Sequence, residues 1–211
     1  MTTFDTPRGL DELQLQTLLN FQEEYIRGFQ ILNQFNGRPR ATFYGAARVD
    51  HDAKIYKDTF ILAQKMSQLG YVVINGGGPG MMGAATDGAE SVSGDTVAIT
   101  VNIAQETPQG NADKTISTTN FSARKYMLRS SDVLIYVPGG VGTLDELSEV
   151  LVLARFEKIP PKKIFLYNSD FWMFLDKWLG ETLVTKWNMN YRDYEDLFHL
   201  VDSPEEIIAL L

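Results

Sequence analysis

Apolar side chains recur at spacings of three and four from Leu10 to Phe35, through Leu15, Leu18, Leu19, Tyr25, Ile26, Phe29 and Leu32. That period predicts a helix. Asn36-Gly37 with Pro39 stops it. The apolar stripe is wide, so the helix must pack on a core or on a partner. Beyond it, short apolar runs alternate with longer helical patterns. Strands are predicted at 40–44, 71–74, 95–101 and 133–137, and at 164–167. Helices are predicted at 53–69, 80–91, 121–130, 143–156 and 171–186. The stretch 104–119 is weaker, with a polar loop at 107–111 and a short strand at 115–117. Ser203-Pro204-Glu205-Glu206 opens a last helix, with serine as cap, proline at the first position and glutamate at the third.

Strands separated by helices imply βαβ crossovers, hence a mainly parallel sheet with helices on both faces. Ligands bind such sheets beyond the carboxyl ends of the strands, where the strand order reverses. Of the 17 glycines, nine fall in two windows, 76–88 and 139–142, and each window directly follows a strand. Both windows therefore sit at the ligand-binding end.

Composition narrows the chemistry. The 211 residues contain no cysteine and two histidines, His51 and His199. Thiol nucleophiles, zinc ribbons and iron–sulfur clusters are excluded, and a histidine-based metal site is disfavoured; no metal is expected. A formal charge of −8 argues against a polynucleotide partner but leaves room for one bound phosphate. The N-terminus has no cationic-then-apolar leader pattern. The one long uncharged stretch, 66–86, is broken by Gly76-Gly77-Gly78-Pro79-Gly80, so no membrane span is expected. A cytoplasmic protein is the expectation. The length suits one domain, 38–211, preceded by a helical extension, 1–37.

Gly78-Pro79-Gly80-Met81-Met82-Gly83 is formally G-x-G-x-x-G. A dinucleotide fingerprint would follow the first strand and need an acid at the end of the next one. Here the motif follows the second strand, and the third ends in Asn102. A tight turn or a backbone cradle for a phosphate or sugar fits better. The second window runs Pro138-Gly139-Gly140-Val141-Gly142-Thr143-Leu144-Asp145-Glu146. Glycines before a helix leave backbone N–H groups open to an anion. Thr143-x-x-Glu146 also fits a capping box, in which the glutamate only caps its own helix. Against that as the whole account, Asp145, Glu146 and Glu149 would crowd a bound phosphate. On the helix at 121–130, Phe121, Arg124 and Leu128 share a face. A guanidinium on an apolar stripe either finds an anion or carbonyls, or snorkels to solvent. Lys125 could be a plain solvated charge.

Together these segments resemble the LOG (lonely guy) family of cytokinin-activating nucleoside 5′-monophosphate phosphoribohydrolases, often labelled lysine decarboxylases. The resemblance rests on 76–83, on Arg124-Lys125-x-Met127 and on 138–146, with Tyr44-Gly45-Ala46-Ala47-Arg48 similar to the family's first-strand loop. It implies a Rossmann-like doubly wound α/β fold and a homodimer. It also implies hydrolysis of the N-glycosidic bond of an AMP-like nucleotide, giving free base and ribose 5-phosphate without a cofactor. Glu146 would be the catalytic carboxylate and Arg124 the catalytic arginine. Gly139, Gly140, Gly142 and Thr143 would hold the phosphate, and Gly45, Gly77, Gly78, Gly80, Met82 and Lys125 would complete the nucleotide site. The alternative is a non-catalytic nucleotide or molybdenum-cofactor carrier of the same fold. No motif supports a pyridoxal-phosphate decarboxylase.

Overall fold

The computed structural model describes residues 9–101, 112–189 and 194–211. The polar loop expected at 107–111, and Asn102, lie outside the described residues. In chain order the elements are α1 (Glu12–Leu32), β1 (Arg40–Tyr44), α2 (Lys54–Gln68), β2 (Val72–Asn75), α3 (Met81–Glu90) and β3 (Thr96–Val101). Then come β4 (Lys114–Thr118), α4 (Phe121–Leu128), β5 (Val133–Tyr136), α5 (Val141–Arg155), β6 (Lys163–Tyr167), α6 (Ser169–Lys177), β7 (His199–Val201) and α7 (Pro204–Ala209).

The strands form one sheet in the order β4-β3-β2-β1-β5-β6-β7. Every described pairing is parallel, so the expected mainly parallel sheet is parallel throughout. The β1 to β4 run moves outward in one direction, and β5 returns to the other side of β1. The switch point therefore lies between β1 and β5, and the two loops leaving it are 45–53 and 137–140.

Side chains alternate across the sheet as a period of two demands. Tyr44, Ile74, Ile99, Leu134, Tyr136 and Leu166 enter the core under α1, α4, α5 and α6. Phe43, Val73, Ile135, Val137 and Phe165 enter the opposite core under α2, α3 and α7. This two-sided burial is the doubly wound Rossmann-like arrangement.

Three local outcomes differ from the sequence expectation. Strand β7 is an added edge strand of three residues with an exposed His199; so short a half-exposed run carries no legible period. The single helix expected at 171–186 is α-helical only to Lys177. It continues as a π-helical segment, Trp178–Lys186, in which Thr185 Oγ1 donates to the Gly180 carbonyl five residues back. Gly180 and the β-branched Thr182, Val184 and Thr185 are poor α-formers. Finally, α5 starts at Val141 rather than at Thr143.

The expected stop of α1 is present as a short 3-10 turn, Asn33–Phe35. The α7 cap is also present. Ser203 Oγ accepts from Glu206 N at 3.2 Å, and the Glu206 carboxylate accepts from Asp202 N at 3.0 Å.

Candidate functional site

The loops at the switch point are laced together by their backbones. Ala46 N donates to the Pro138 carbonyl at 3.1 Å, and Met81 N donates to the Ala46 carbonyl at 3.0 Å. This joins the loop after β1 to the starts of α3 and of the α5 loop. Close approach explains two glycines here. A Cβ on Gly45 would run into Val137 and Met81, and one on Gly80 would lie 2.5 Å from the Ala46 carbonyl oxygen. Gly80 also has φ +65°, a conformation that favours glycine.

Between these loops lies a cavity of about 300 Å³, at the lower end of small-molecule sites. Of the residues singled out by sequence, Gly45, Gly77, Gly78, Met82, Arg124, Gly140, Gly142, Thr143 and Glu146 line it. Gly80, Gly139 and Lys125 do not. Gly80 allows the β1 loop to approach, and Gly139 packs directly on Thr143. Lys125 faces α5, 3.1 Å from Asp145 and 2.7 Å from Glu149.

The start of α5 forms one wall. Gly140 is the N-cap and makes no side-chain cap bond. Leu144 N is the first to reach back, to the Gly140 carbonyl at 3.1 Å. The N–H groups of the first turn thus have no intrahelical acceptor. Thr143 stands at the third helical position and Glu146 at the sixth, so the two do not form a capping box. With Gly140 as N-cap the helix begins two residues early, and Glu146 moves into the second turn. A Cβ on Gly140 or Gly142 would meet nothing within 4 Å. The protein's own packing does not require glycine at either position.

Glu146 meets Arg124 across the cavity floor. Arg124 Nη1 lies 2.8 Å from Glu146 Oε1, and the two side chains are only 13% and 12% exposed. Arg124 Nε donates to the Ile99 carbonyl at 2.9 Å. The arginine therefore takes the inward course: an anion and a carbonyl, not solvent. The preceding residue, Ala123, is fully buried in the core. Burial pushes the Glu146 carboxyl above the usual glutamate range, and the Arg124 guanidinium offsets this only in part. The other acids of α5 are paired as well, Asp145 with Lys125 and Glu149 with both Lys125 and Arg129. The acidic crowding expected near the phosphate loop is thus largely neutralised by α4. Beneath the pair, Tyr44 and Tyr136 stack at 4.4 Å, and Tyr136 OH lies 3.4 Å from the Glu146 carbonyl oxygen. Burial holds both phenols well above their usual range.

Sequence reading missed two residues that shape this floor. A Cβ on Gly76 would overlap Arg124 Nη2, so glycine there admits the guanidinium. Asn75 is fully buried; its Oδ1 accepts from Gly77 N at 2.8 Å and its Nδ2 donates to Thr86 at 2.8 Å. It shapes the first glycine turn, and an asparagine directly before glycines is the available signal. Thr100 also lines the cavity, and nothing in the sequence marks it.

A Rossmann-like α/β protein with a cavity at its strand-order switch point is the class that fold and site define. The family model described as "Possible lysine decarboxylase" matches residues 82–211. The chain belongs to this family, which is the LOG family of the motifs above. An Archaeoglobus fulgidus protein is 36% identical over 101 residues, covering 47% of this chain and 66% of that one. The probable cytokinin riboside 5′-monophosphate phosphoribohydrolase LOGL5 of Oryza sativa subsp. japonica is 31% identical over 133 residues. That match covers 59% of this chain and 54% of the rice protein. The chain thus spans about two thirds of the archaeal relative and about half of the rice one. Among solved structures, the molybdenum cofactor binding protein of Rippkaea orientalis superposes with TM-score 0.59 at 24% identity, covering 83% of this chain and 96% of that one. The molybdenum cofactor carrier protein of Chlamydomonas reinhardtii superposes with TM-score 0.60 at 22% identity, covering 82% and 95%. These likenesses establish the fold. Among the described residues, no helix is long and apolar enough to cross a membrane.

Proposed function

We propose that the protein hydrolyses the N-glycosidic bond of a purine nucleoside 5′-monophosphate, adenine or a modified adenine, to free base and ribose 5-phosphate. One observation carries this reading. A buried carboxylate, Glu146, sits one helical turn beyond an uncapped helix start whose Gly140 and Gly142 are sterically unconstrained. The phosphate would rest on the first-turn N–H groups of α5 with Thr143, where the helix dipole favours an anion. That would bring the ribose toward Glu146.

Cleavage of the C1′–N bond builds positive charge on the ribose. Glu146 stabilises that charge and takes one proton from the attacking water, whose oxygen bonds to C1′. The base leaves with the bonding electron pair and is protonated on nitrogen by the proton taken from water, which restores the Glu146 carboxylate. Arg124, held between Ile99 and Glu146, supports the departing base or the phosphate. The resemblance to the rice phosphoribohydrolase supports this substrate class. A Schiff-base decarboxylase would need a lysine at the reacting centre, and none lines the cavity among the described residues.

The same reading includes a homodimer. Val141 and Val152 of α5 and Phe156, its C-cap, are 84%, 49% and 62% exposed and lie on one side of the helix, suited to a second copy. Light scattering of the purified protein tests this.

The activity is tested by incubating the protein with AMP and with isopentenyladenosine monophosphate and detecting free base. Release of base by wild type and not by Glu146→Gln supports the reading. Folded protein that retains nucleotide without releasing base would overturn it in favour of a binding or carrier protein, the roles named for molybdenum cofactor in two of its structural neighbours.

A further inference from the structure

Helix α4 has eight residues, and its N-cap, Asn120, makes no side-chain bond to it. A helix this short is not stable alone, so its neighbours must set its position. On one side α5 holds it through the Lys125 and Arg129 ion pairs. On the other side lies α1. Glu24 of α1 is 3% exposed, and its Oε1 accepts from both Thr119 N, at 2.6 Å, and Thr119 Oγ1, at 2.7 Å. Thr119 immediately precedes the α4 cap, so a carboxylate reaching in from α1 pins the chain one residue before α4 begins. Further along, Gly28 lets α1 lie directly on Met127, and Tyr126 packs edge-on against Tyr25 at 5.3 Å.

This matters because Arg124 has no slack. Its Nε is bonded to the Ile99 carbonyl, its Nη1 to Glu146, and its Nη2 touches the space a Gly76 side chain would need. A shift of α4 therefore strains or breaks one of these contacts.

We propose that Glu24, through Thr119, is a positioning residue that sets the placement of Arg124 against Glu146. This gives the N-terminal helix a part in the site rather than that of an appendage. The catalytic side of the proposal rests on the phosphoribohydrolase reading above; the positional side does not.

The test compares Glu24→Ala, Glu24→Gln and Thr119→Val with wild type in the full chain. Two readouts are taken. One is kcat and KM for base release from AMP. The other is the arginine Nε–H resonance of Arg124 in 15N-labelled protein, assigned with Arg124→Lys. Glu24→Ala should lower kcat at least about tenfold, because small misplacements of reacting groups are costly. KM should move less than about twofold, because the phosphate loop on α5 does not touch Glu24. The Arg124 resonance should shift and lose protection from exchange. Glu24→Gln keeps the acceptor oxygen and should restore both readouts.

Folded Glu24→Ala with wild-type kcat and an unchanged Arg124 resonance would overturn the proposal. If Glu24→Ala does not fold, Thr119→Val, which removes one donor only, takes its place with the same criteria and a smaller expected loss. If wild type releases no base, the phosphoribohydrolase reading fails, while the Arg124 resonance still decides the positioning.

Discussion

Arg124 Nη1 and Glu146 Oε1 lie 2.8 Å apart, although their residues belong to different helices, α4 and α5. Both side chains are nearly withdrawn from water, so neither charge is stable without the other. The pair lines the cavity, and its surroundings make distinct demands that can be measured.

Glu146→Gln keeps the shape and one acceptor oxygen for Arg124, so the fold should survive. Loss of the carboxylate should lower kcat by about 10²–10⁴-fold, the range for a removed acid–base group. AMP affinity, measured by calorimetry on the inactive variant, should stay close to the wild-type KM. A variant that turns over normally would remove Glu146 from the chemistry.

Arg124→Ala leaves a buried carboxylate without its cation. Removing one partner of a buried pair typically costs about 3–5 kcal/mol, and urea unfolding near neutral pH should register a loss of this order. The loss should shrink as pH falls, because the stranded Glu146 then takes up a proton. A variant as stable as wild type at neutral pH would mean that the pair is not formed in solution.

Burial raises the Glu146 carboxyl above the ordinary glutamate range. The folded chain therefore binds this proton more tightly than the unfolded chain. The resulting stabilisation is full below the ordinary glutamate value and is lost as pH rises through the folded one. The stability of wild type relative to Glu146→Gln should accordingly fall as pH rises above the ordinary glutamate value. The ionised carboxylate is the active form in the proposed reaction. The acid limb of kcat/KM should thus lie above the ordinary glutamate range, and an acid limb within that range would contradict the assignment.

Glycine substitutions should separate packing from ligand contact. Gly76→Ala forces its new methyl group against Arg124 Nη2, so stability and turnover should fall together, stability by about 1–3 kcal/mol. Gly140→Ala meets nothing within 4 Å, so its melting temperature should be near that of wild type. Its methyl group would nevertheless stand in the cavity beside the first-turn amides, and AMP should bind at least about tenfold more weakly. Unchanged AMP affinity for Gly140→Ala would move the phosphate elsewhere.

Much of the fold is readable from residue pattern. The apolar runs of β1, β2, β3, β5 and β6 and the helix periods between them are strong, local signals, and alternation of the two commits the chain to a parallel sheet covered on both faces. The glycine windows are also local, because each must follow its own strand. Residue type marks Glu146 and Arg124 as candidates, one beside a phosphate-type loop and one on an apolar stripe.

What residue pattern could not reach is anything set by two distant segments meeting. Whether Thr143 and Glu146 form a cap depended on where α5 begins, and Gly140 as N-cap starts it at Val141. Whether Arg124 turns inward or toward solvent depended on the Ile99 carbonyl, on Glu146 and on the room left by Gly76. The resemblance would place Lys125 in the nucleotide site, and whether it lies beside the cavity or against acids depended on α5, where it pairs with Asp145 and Glu149. The wide apolar stripe at 10–35 predicted a packed helix but not its neighbour. The tertiary structure sets only its later turns against α4, with Glu24 on Thr119 and Gly28 against Met127, while Leu18, Leu19, Ile26 and Phe29 of the stripe stay exposed. The sequence by itself thus determined the sheet, the glycine turns and the available charges, since each depends on neighbours a few residues away. Only the tertiary structure decided which charges pair and which glycines face open space, because both depend on chain segments brought together by the sheet order.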